Sequence, residues 1–254
     1  SVGIVALMGV DLWRHRQRWR LIGAVYFRCG ILTYLRAVGI LIVTVGALLA
    51  ADRLFPPFMH WGWANLVFGQ PGNIIFQPFN LFSQGQPIQT VGAIAQLVGV
   101  VAPAGLVGIS ALLLASASGA RLVPGTAIPW EALFICGFWL LLIVGIPFWA
   151  RLEEHIFRRG ANTWRKIAVR STQFGLVHLV AGIPLLGGVV LILPGFLFAC
   201  RYKYVYERHL KRHRQVEQAQ EAGVMASTAD HAVYNAILVS LVAGSLLAVA
   251  MGWG

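Results

Sequence analysis

Long apolar runs separated by short basic segments dominate the pattern of this chain. Four long runs lie at 31–51, 90–117, 130–150 and 231–251. Each run is long enough for a helix that crosses a bilayer core, which needs roughly 20 residues. The region 171–200 has no formal charge but is interrupted at Gly182 and Gly187, so it predicts two short helices joined by a tight turn. The pattern predicts an all-α, polytopic helical membrane protein with roughly 6–8 membrane helices.

The first part of the chain, 1–129, combines a basic interfacial segment, membrane helices and an aromatic loop, and we assign it no role. Its apolar stretch 1–10 is too short to cross a bilayer core. The region 52–87 is rich in aromatic residues, Pro, Gly and Gln. This composition predicts an interfacial or re-entrant loop and leaves an irregular crossing as the alternative. The second part, 130–254, contains all the motifs described below.

The boundaries of the last helices are predicted from turn and capping signals. The region 201–221 predicts a polar helical extension, which Gly223 is expected to stop. Ser227 and Asp230 have the spacing of a capping box, in which side chains satisfy the first free N–H groups of a helix. The last membrane span is therefore expected to begin at about His231.

Composition and charge support membrane insertion. Hydrophobic residues make up 58% of the chain and charged residues 11%, whereas soluble domains have about 25% charged residues. This composition excludes an ordinary soluble enzyme and a disordered protein. Because the basic residues flank apolar runs, the net charge of +11 indicates membrane topology, and we expect membrane lipids and no nucleic acid as partners. The odd number of cysteines, none in a CxxC motif, predicts neither a disulfide framework nor a thiolate metal site.

The basic residues also predict an orientation. Six Arg or Lys lie in each of the segments 14–36, 151–170 and 201–214, and only two lie elsewhere. By the positive-inside rule these three clusters are cytoplasmic, so the turn at Gly182 and the C-terminus are expected on the opposite side. The number of crossings between 36 and 151 must then be even, so either the aromatic region 54–87 crosses once or one apolar run is re-entrant, and the sequence leaves both open.

Ionisable residues near or within the predicted spans form three motifs. Each such group costs about 2.5–3.5 kcal/mol at the centre of a membrane helix, so its presence needs an explanation. The motifs are Glu153-Glu154 followed by Arg158, Phe174 followed by His178, and His231 followed by Asn235. In each motif two residues are separated by four positions, so they share one face of a helix.

In this order the three motifs resemble the CPBP family of intramembrane glutamic proteases, also called the Abi family, which includes the type II CAAX prenyl endopeptidases. The resemblance covers about 130–252, so we interpret 130–254 as a CPBP-like catalytic membrane core. The resemblance implies that the catalytic residues are Glu153, His178, His231 and Asn235, with Glu154, Arg158 and Phe174 in supporting positions. It implies no metal and no cofactor.

The residue types fit a hydrolytic mechanism. A carboxylate beside an imidazole can take a proton from water, and imidazole and amide N–H groups can stabilise an oxyanion. The resemblance implies that Glu153 is the base, His178 orients the water, and His231 and Asn235 donate to the oxyanion. The expected substrate is a peptide bond of a membrane-associated or lipidated protein. Which of the two glutamates is the base stays open.

Other interpretations of the same residues stay open. The glutamates can simply pair with arginines at a solvated helix end, and the histidines can pack between helices. Two His and two Glu are also a possible zinc ligand set, although no H-E-x-x-H motif is present. A different class of function is a non-catalytic scaffold or an assembly factor, with a larger membrane complex as its partner. A transporter with a polar core is a further alternative.

Overall fold

The structure, a computed structural model, describes residues 19–62 and 130–250, together with Val10 and Trp13. The helices are α1 (Trp19–Gly23), α2 (Val25–Arg28), α3 (Ile31–Leu54), α4 (Trp130–Arg158), α5 (Trp164–Val177), α6 (Leu185–His213) and α7 (Val216–Ala250), and the 3₁₀ turns are Pro57–His60 and His178–Ala181. Within these residues there is no strand, so the described part of the chain is all-α as predicted. The predicted span 90–117 and most of the loop 52–87 lie outside the described residues.

Within the described residues, three helices are long and apolar enough to cross a membrane, and they indicate a membrane protein. These segments are Ile31–Leu54, Ala132–Arg158 and Leu185–His213, with mean hydropathies of 2.0, 2.3 and 1.8. Helix α5 is different because its 14 residues correspond to about 21 Å, which is less than a bilayer core of about 30 Å. The predicted total of roughly 6–8 membrane helices stays a prediction.

Helix α7 is the central element of the described part, and it packs against α3, α4 and α6. One core joins it to α3 and α6 through Leu41, Leu191 and Leu238. A second core joins it to α4 through contacts that include Ile146 and Ala232. The described segment of the N-terminal part is therefore packed on the same helix that carries His231 and Asn235.

The predicted helix stop at Gly223 is wrong, because α7 continues through this position. A Cβ atom at Gly223 would lie 2.8 Å from Cδ2 of Tyr202 and 3.0 Å from its carbonyl oxygen. The glycine therefore allows α6 and α7 to approach closely. The chain breaks instead at Arg214, whose φ of 54° is left-handed, so the predicted extension 201–221 is divided between the two helices.

The predicted capping box is also wrong. The Ser227 hydroxyl lies within donating distance of two carbonyl oxygens in the preceding turn of the same helix, those of Gly223 (3.2 Å) and Val224 (3.1 Å). Asp230 forms ion pairs with other helices, and His231 lies in the middle of α7 rather than at its start. Both polar side chains have partners away from any helix terminus. Their spacing therefore did not mark the beginning of a helix.

Helix α4 extends eight residues beyond the predicted span 130–150, so the two glutamates lie inside a helix rather than after its end. The charges of its last turns have partners on the neighbouring α7. For example, Nη2 of the buried Arg151 lies 3.0 Å from Oε1 of Glu221. This pairing lets the helix continue where the sequence indicates a polar boundary.

The predicted tight turn between α5 and α6 is confirmed, with Gly182 at a φ of 84°. The two helices then pack very closely, because a Cβ atom at Gly175 would lie 2.4 Å from the carbonyl oxygen of Gly188. The second helix is longer than predicted and continues to His213. This close packing holds the 3₁₀ turn that carries His178 against the rest of the bundle.

Candidate active site

Helix α4 directs its two adjacent glutamates into different surroundings, because neighbouring residues of a helix point about 100° apart. The Glu154 side chain is fully buried, whereas 15% of the Glu153 side chain is exposed. Oε2 of Glu154 lies 3.3 Å from Nε of Arg158, which is also fully buried. The pair spans one turn of the helix, as the sequence spacing predicted.

His231 of α7 lies between the two carboxylates. Its Nδ1 atom is 2.9 Å from Oε1 of Glu154, and its Nε2 atom is 3.5 Å from Oε2 of Glu153. The imidazole stacks on Phe198 of α6, with the ring centroids 4.6 Å apart and the planes inclined by 20°. An ionised carboxylate can only accept a hydrogen bond, so we assign a hydrogen to Nδ1 of His231.

Glu153 has a second partner that the sequence analysis missed. The buried indole of Trp149 donates from Nε1 to Oε1 of Glu153 at 2.6 Å. The two residues are four positions apart on α4, so the spacing was a usable signal, although a tryptophan in an apolar run is more often a packing residue. The indole fixes one carboxylate oxygen and leaves Oε2 directed towards His231.

His178 is oriented by the backbone of its own helix. Its Nδ1 atom lies 2.6 Å from the carbonyl oxygen of Phe174. A carbonyl oxygen can only accept, so Nδ1 carries the hydrogen, and Nε2 of the neutral ring is left as the acceptor. The charged or titratable groups that act electrostatically on this buried ring are Glu153, His231 and Arg158.

The ring of Phe174 connects the parts of the cluster. It makes edge contacts with the imidazoles of His178 (centroids 4.8 Å apart) and His231 (5.7 Å). The guanidinium carbon of Arg158 lies 4.6 Å from the centre of the same ring, in a cation–π contact. Gly195 of α6 makes room for this arrangement, because a Cβ atom there would lie 2.7 Å from the Phe174 ring.

Asn235 lies one turn beyond His231 on α7, so the two residues share a helix face. Only 1% of its surface is exposed. Among the described residues, neither its Oδ1 nor its Nδ2 atom has a hydrogen-bond partner. A buried amide without a partner loses its hydrogen bonds to water, at a cost of about 1–3 kcal/mol, so an unpaired amide beside a polar cluster is available to a ligand.

A second charged group next to this cluster was not predicted. Asp230, which precedes His231, is buried and accepts from Nε and Nη2 of Arg36 on α3, both at 2.9 Å. Nε of Arg201 on α6 lies 3.5 Å from the same carboxylate. Arg36 lies inside an apolar run, which was a signal that it needs a buried partner, but the sequence did not identify that partner.

The cluster is thus built by four segments that are distant in sequence: α4, α5 with its 3₁₀ turn, α6 and α7.

Comparisons of the chain with protein-family models, with curated proteins and with solved structures find no match. In the part of the chain that the structure describes, no group of three or more His, Cys, Asp or Glu side chains has an arrangement that could hold a metal ion.

Proposed function

We propose that this protein is an intramembrane peptidase of the CPBP glutamic type, which hydrolyses a peptide bond in a membrane-associated or lipidated substrate. The observation that carries the proposal is the placement of His231 between Glu153 and Glu154, with Phe174 in contact with both His231 and His178. Two carboxylates and two imidazoles in a largely buried cluster are the groups that water activation needs.

The different surroundings of the two glutamates support Glu153 as the base. Glu154 is fully buried and lies against Arg158 and His231, so it is shielded from bulk water. Glu153 is partly exposed, and its Oε2 atom is 3.5 Å from the nearest imidazole nitrogen, which is longer than a good hydrogen bond. Glu153 is therefore the carboxylate that water can reach.

In the proposed reaction, a water molecule attacks the substrate carbonyl carbon and gives one proton to Glu153. Nε2 of His178 accepts the second hydrogen of this water as a hydrogen bond and orients the attack. The carbonyl oxygen becomes an oxyanion, to which Nδ2 of Asn235 and an imidazole N–H of His231 donate. Glu153 then returns its proton to the leaving amine, the C–N bond breaks, and the base is regenerated.

The position of the site supports a membrane-bound substrate. We propose a multi-pass protein whose motif-bearing helix ends face the cytoplasm and whose C-terminus lies on the opposite side, since the basic clusters flank these helices. Helix α5 is too short to cross the core, so a hydrated vestibule that reaches His178 would bring water to the base. No cofactor or metal takes part in this mechanism.

The test is a Glu153→Ala substitution in the full chain, followed by affinity purification from membranes and identification of bound and uncleaved proteins. The exposed Glu207 of α6 provides a control, Glu207→Ala, with the same change in charge. A peptidase loses processing and accumulates an uncleaved substrate only in the Glu153 variant. Normal processing and an unchanged phenotype in that variant would instead favour the scaffold or assembly factor.

A further inference from the structure

The group formed by Asp230, Arg36 and Arg201 contains one more positive charge than negative charge. Asp230 is 1% exposed, whereas the side chains of Arg36 and Arg201 are 35% and 26% exposed. The carboxylate is therefore sealed inside the bundle, and the two arginine side chains reach the surface around it. One carboxylate neutralises one arginine, so a unit of positive charge is left at this surface.

The two arginines differ in how many hydrogen bonds their guanidinium groups make within the described residues. Arg36 donates from Nε and Nη2 to Asp230 and from Nη2 to Thr33, which leaves Nη1 uncommitted within the described residues. Arg201 makes no hydrogen bond within the same part of the chain, and its closest contact with Asp230 is 3.5 Å. The Nε atom of Arg201 is buried without a partner. An arginine N–H group without an acceptor is costly where water is scarce, so an outside acceptor that meets the exposed part of the Arg201 side chain would stabilise this arrangement.

The surroundings indicate where this acceptor comes from. Arg201 directly follows the uncharged run 171–200, so it marks the end of the apolar part of α6. The exposed ring of Tyr204 lies 5.9 Å from its guanidinium carbon. On α3, one residue before Arg36, the apolar Leu35 is 59% exposed. Arginine and tyrosine beside exposed apolar side chains are typical of the boundary between lipid tails and headgroups.

We propose that Arg201 and Arg36 bind one phosphate group, supplied by the headgroup of an anionic membrane lipid. Arginine donates two parallel N–H groups to phosphate oxygens, and this geometry uses the atoms of Arg201 that Asp230 leaves free. The phosphate compensates the extra positive charge. Because the site lies between α3, α6 and α7, on contacts that the proposed hydrolysis does not use, it is independent of the peptidase function.

The test measures thermal unfolding of the full chain in a zwitterionic detergent during titration with phosphatidylglycerol, phosphatidylcholine or inorganic phosphate. The wild-type protein should show a saturable rise in Tm with phosphatidylglycerol only. In Arg201→Gln the half-saturating lipid concentration should rise by about tenfold or more, the effect of losing charge-assisted hydrogen bonds. Arg165→Gln, which removes the same charge from an exposed position on α5, is the control and should titrate like the wild type.

A second variant keeps the test decisive if Arg201→Gln does not fold. Arg201→Lys retains the charge but cannot donate in parallel, so its half-saturating concentration should lie above that of the wild type. Wild-type lipid titration in either Arg201 variant would overturn the proposal, as would an equal loss in Arg165→Gln. The same saturable rise in Tm with inorganic phosphate would assign the site to free phosphate and overturn the lipid assignment.

Discussion

Nδ1 of His231 lies 2.9 Å from Oε1 of Glu154, although the two residues are 77 positions apart, and neither side chain is more than 3% exposed. A buried carboxylate in this position fixes both the orientation and the hydrogen of the imidazole. The opposite ring nitrogen is then directed at Glu153, 3.5 Å away. The adjacent glutamates therefore have separate tasks, one in positioning His231 and the other in the proposed chemistry.

The first prediction separates the two glutamates. Glu153→Gln removes the base and should lower the cleavage rate by about 10²–10⁴-fold with little change in Tm. Glu154→Gln removes the ion-pair partner of the buried Arg158, so it should also destabilise the fold, by about 3 kcal/mol. Cleavage assays and thermal unfolding on both variants measure these effects. An active Glu153→Gln enzyme would contradict the assignment of the base.

A second prediction concerns the indole that holds the base. Trp149→Phe removes the hydrogen bond to Oε1 of Glu153 and should lower kcat by about tenfold, with a smaller change in KM. Trp139→Phe is the control, because it removes a similar indole donor on the same helix, whose acceptor is Oγ of Ser240 at 3.0 Å. Equal loss of activity in both variants would show that general packing, and not the Glu153 contact, matters.

The third prediction tests the close approach of α5 and α6. In Gly175→Ala the new methyl group would meet the backbone of Gly188, and we expect destabilisation of more than about 2 kcal/mol because backbone atoms cannot move aside easily. Gly137→Ala on α4 is the control, since no atom lies within 4 Å of its new Cβ, and it should be neutral or stabilising. Comparison of Tm for the two variants measures the difference.

A fourth prediction follows from the absence of metal in the proposed mechanism. Cleavage by the purified protein should survive strong chelators, because protein groups alone activate the water. The measurement is the cleavage rate with and without chelator, followed by addition of zinc. Loss of activity in chelator and recovery with zinc would favour the metallopeptidase interpretation instead.

The last prediction concerns access of water to His178. A cysteine introduced at Val177 or His178 should react with a charged, membrane-impermeant thiol reagent added from the cytoplasmic side. The cysteine is introduced into a variant that lacks the three native cysteines, Cys29, Cys136 and Cys200, because all of them are free thiols. A cysteine at the exposed Arg165 is the positive control. If the control reacts and neither deeper position does, the proposed hydrated vestibule is wrong.

Sequence alone determined the features that depend on a single helix. Apolar runs predicted α3 and α4, because a membrane span needs a continuous apolar length. Spacing by four predicted the Glu154–Arg158 pair and the approach of His178 to Phe174, because helix geometry brings such residues together whatever the rest of the fold does.

Only the tertiary structure decided the features that depend on contacts between helices. Gly223 was expected to stop a helix but instead admits Tyr202, and Asp230 was expected to cap one but instead pairs with Arg36. The sequence also does not predict that Glu153 is more exposed than Glu154, because the two residues are adjacent and of the same type. The physical reason is that a buried polar group needs a partner to replace its hydrogen bonds to water. In a packed helical bundle that partner often lies on another helix, at no fixed spacing in the sequence.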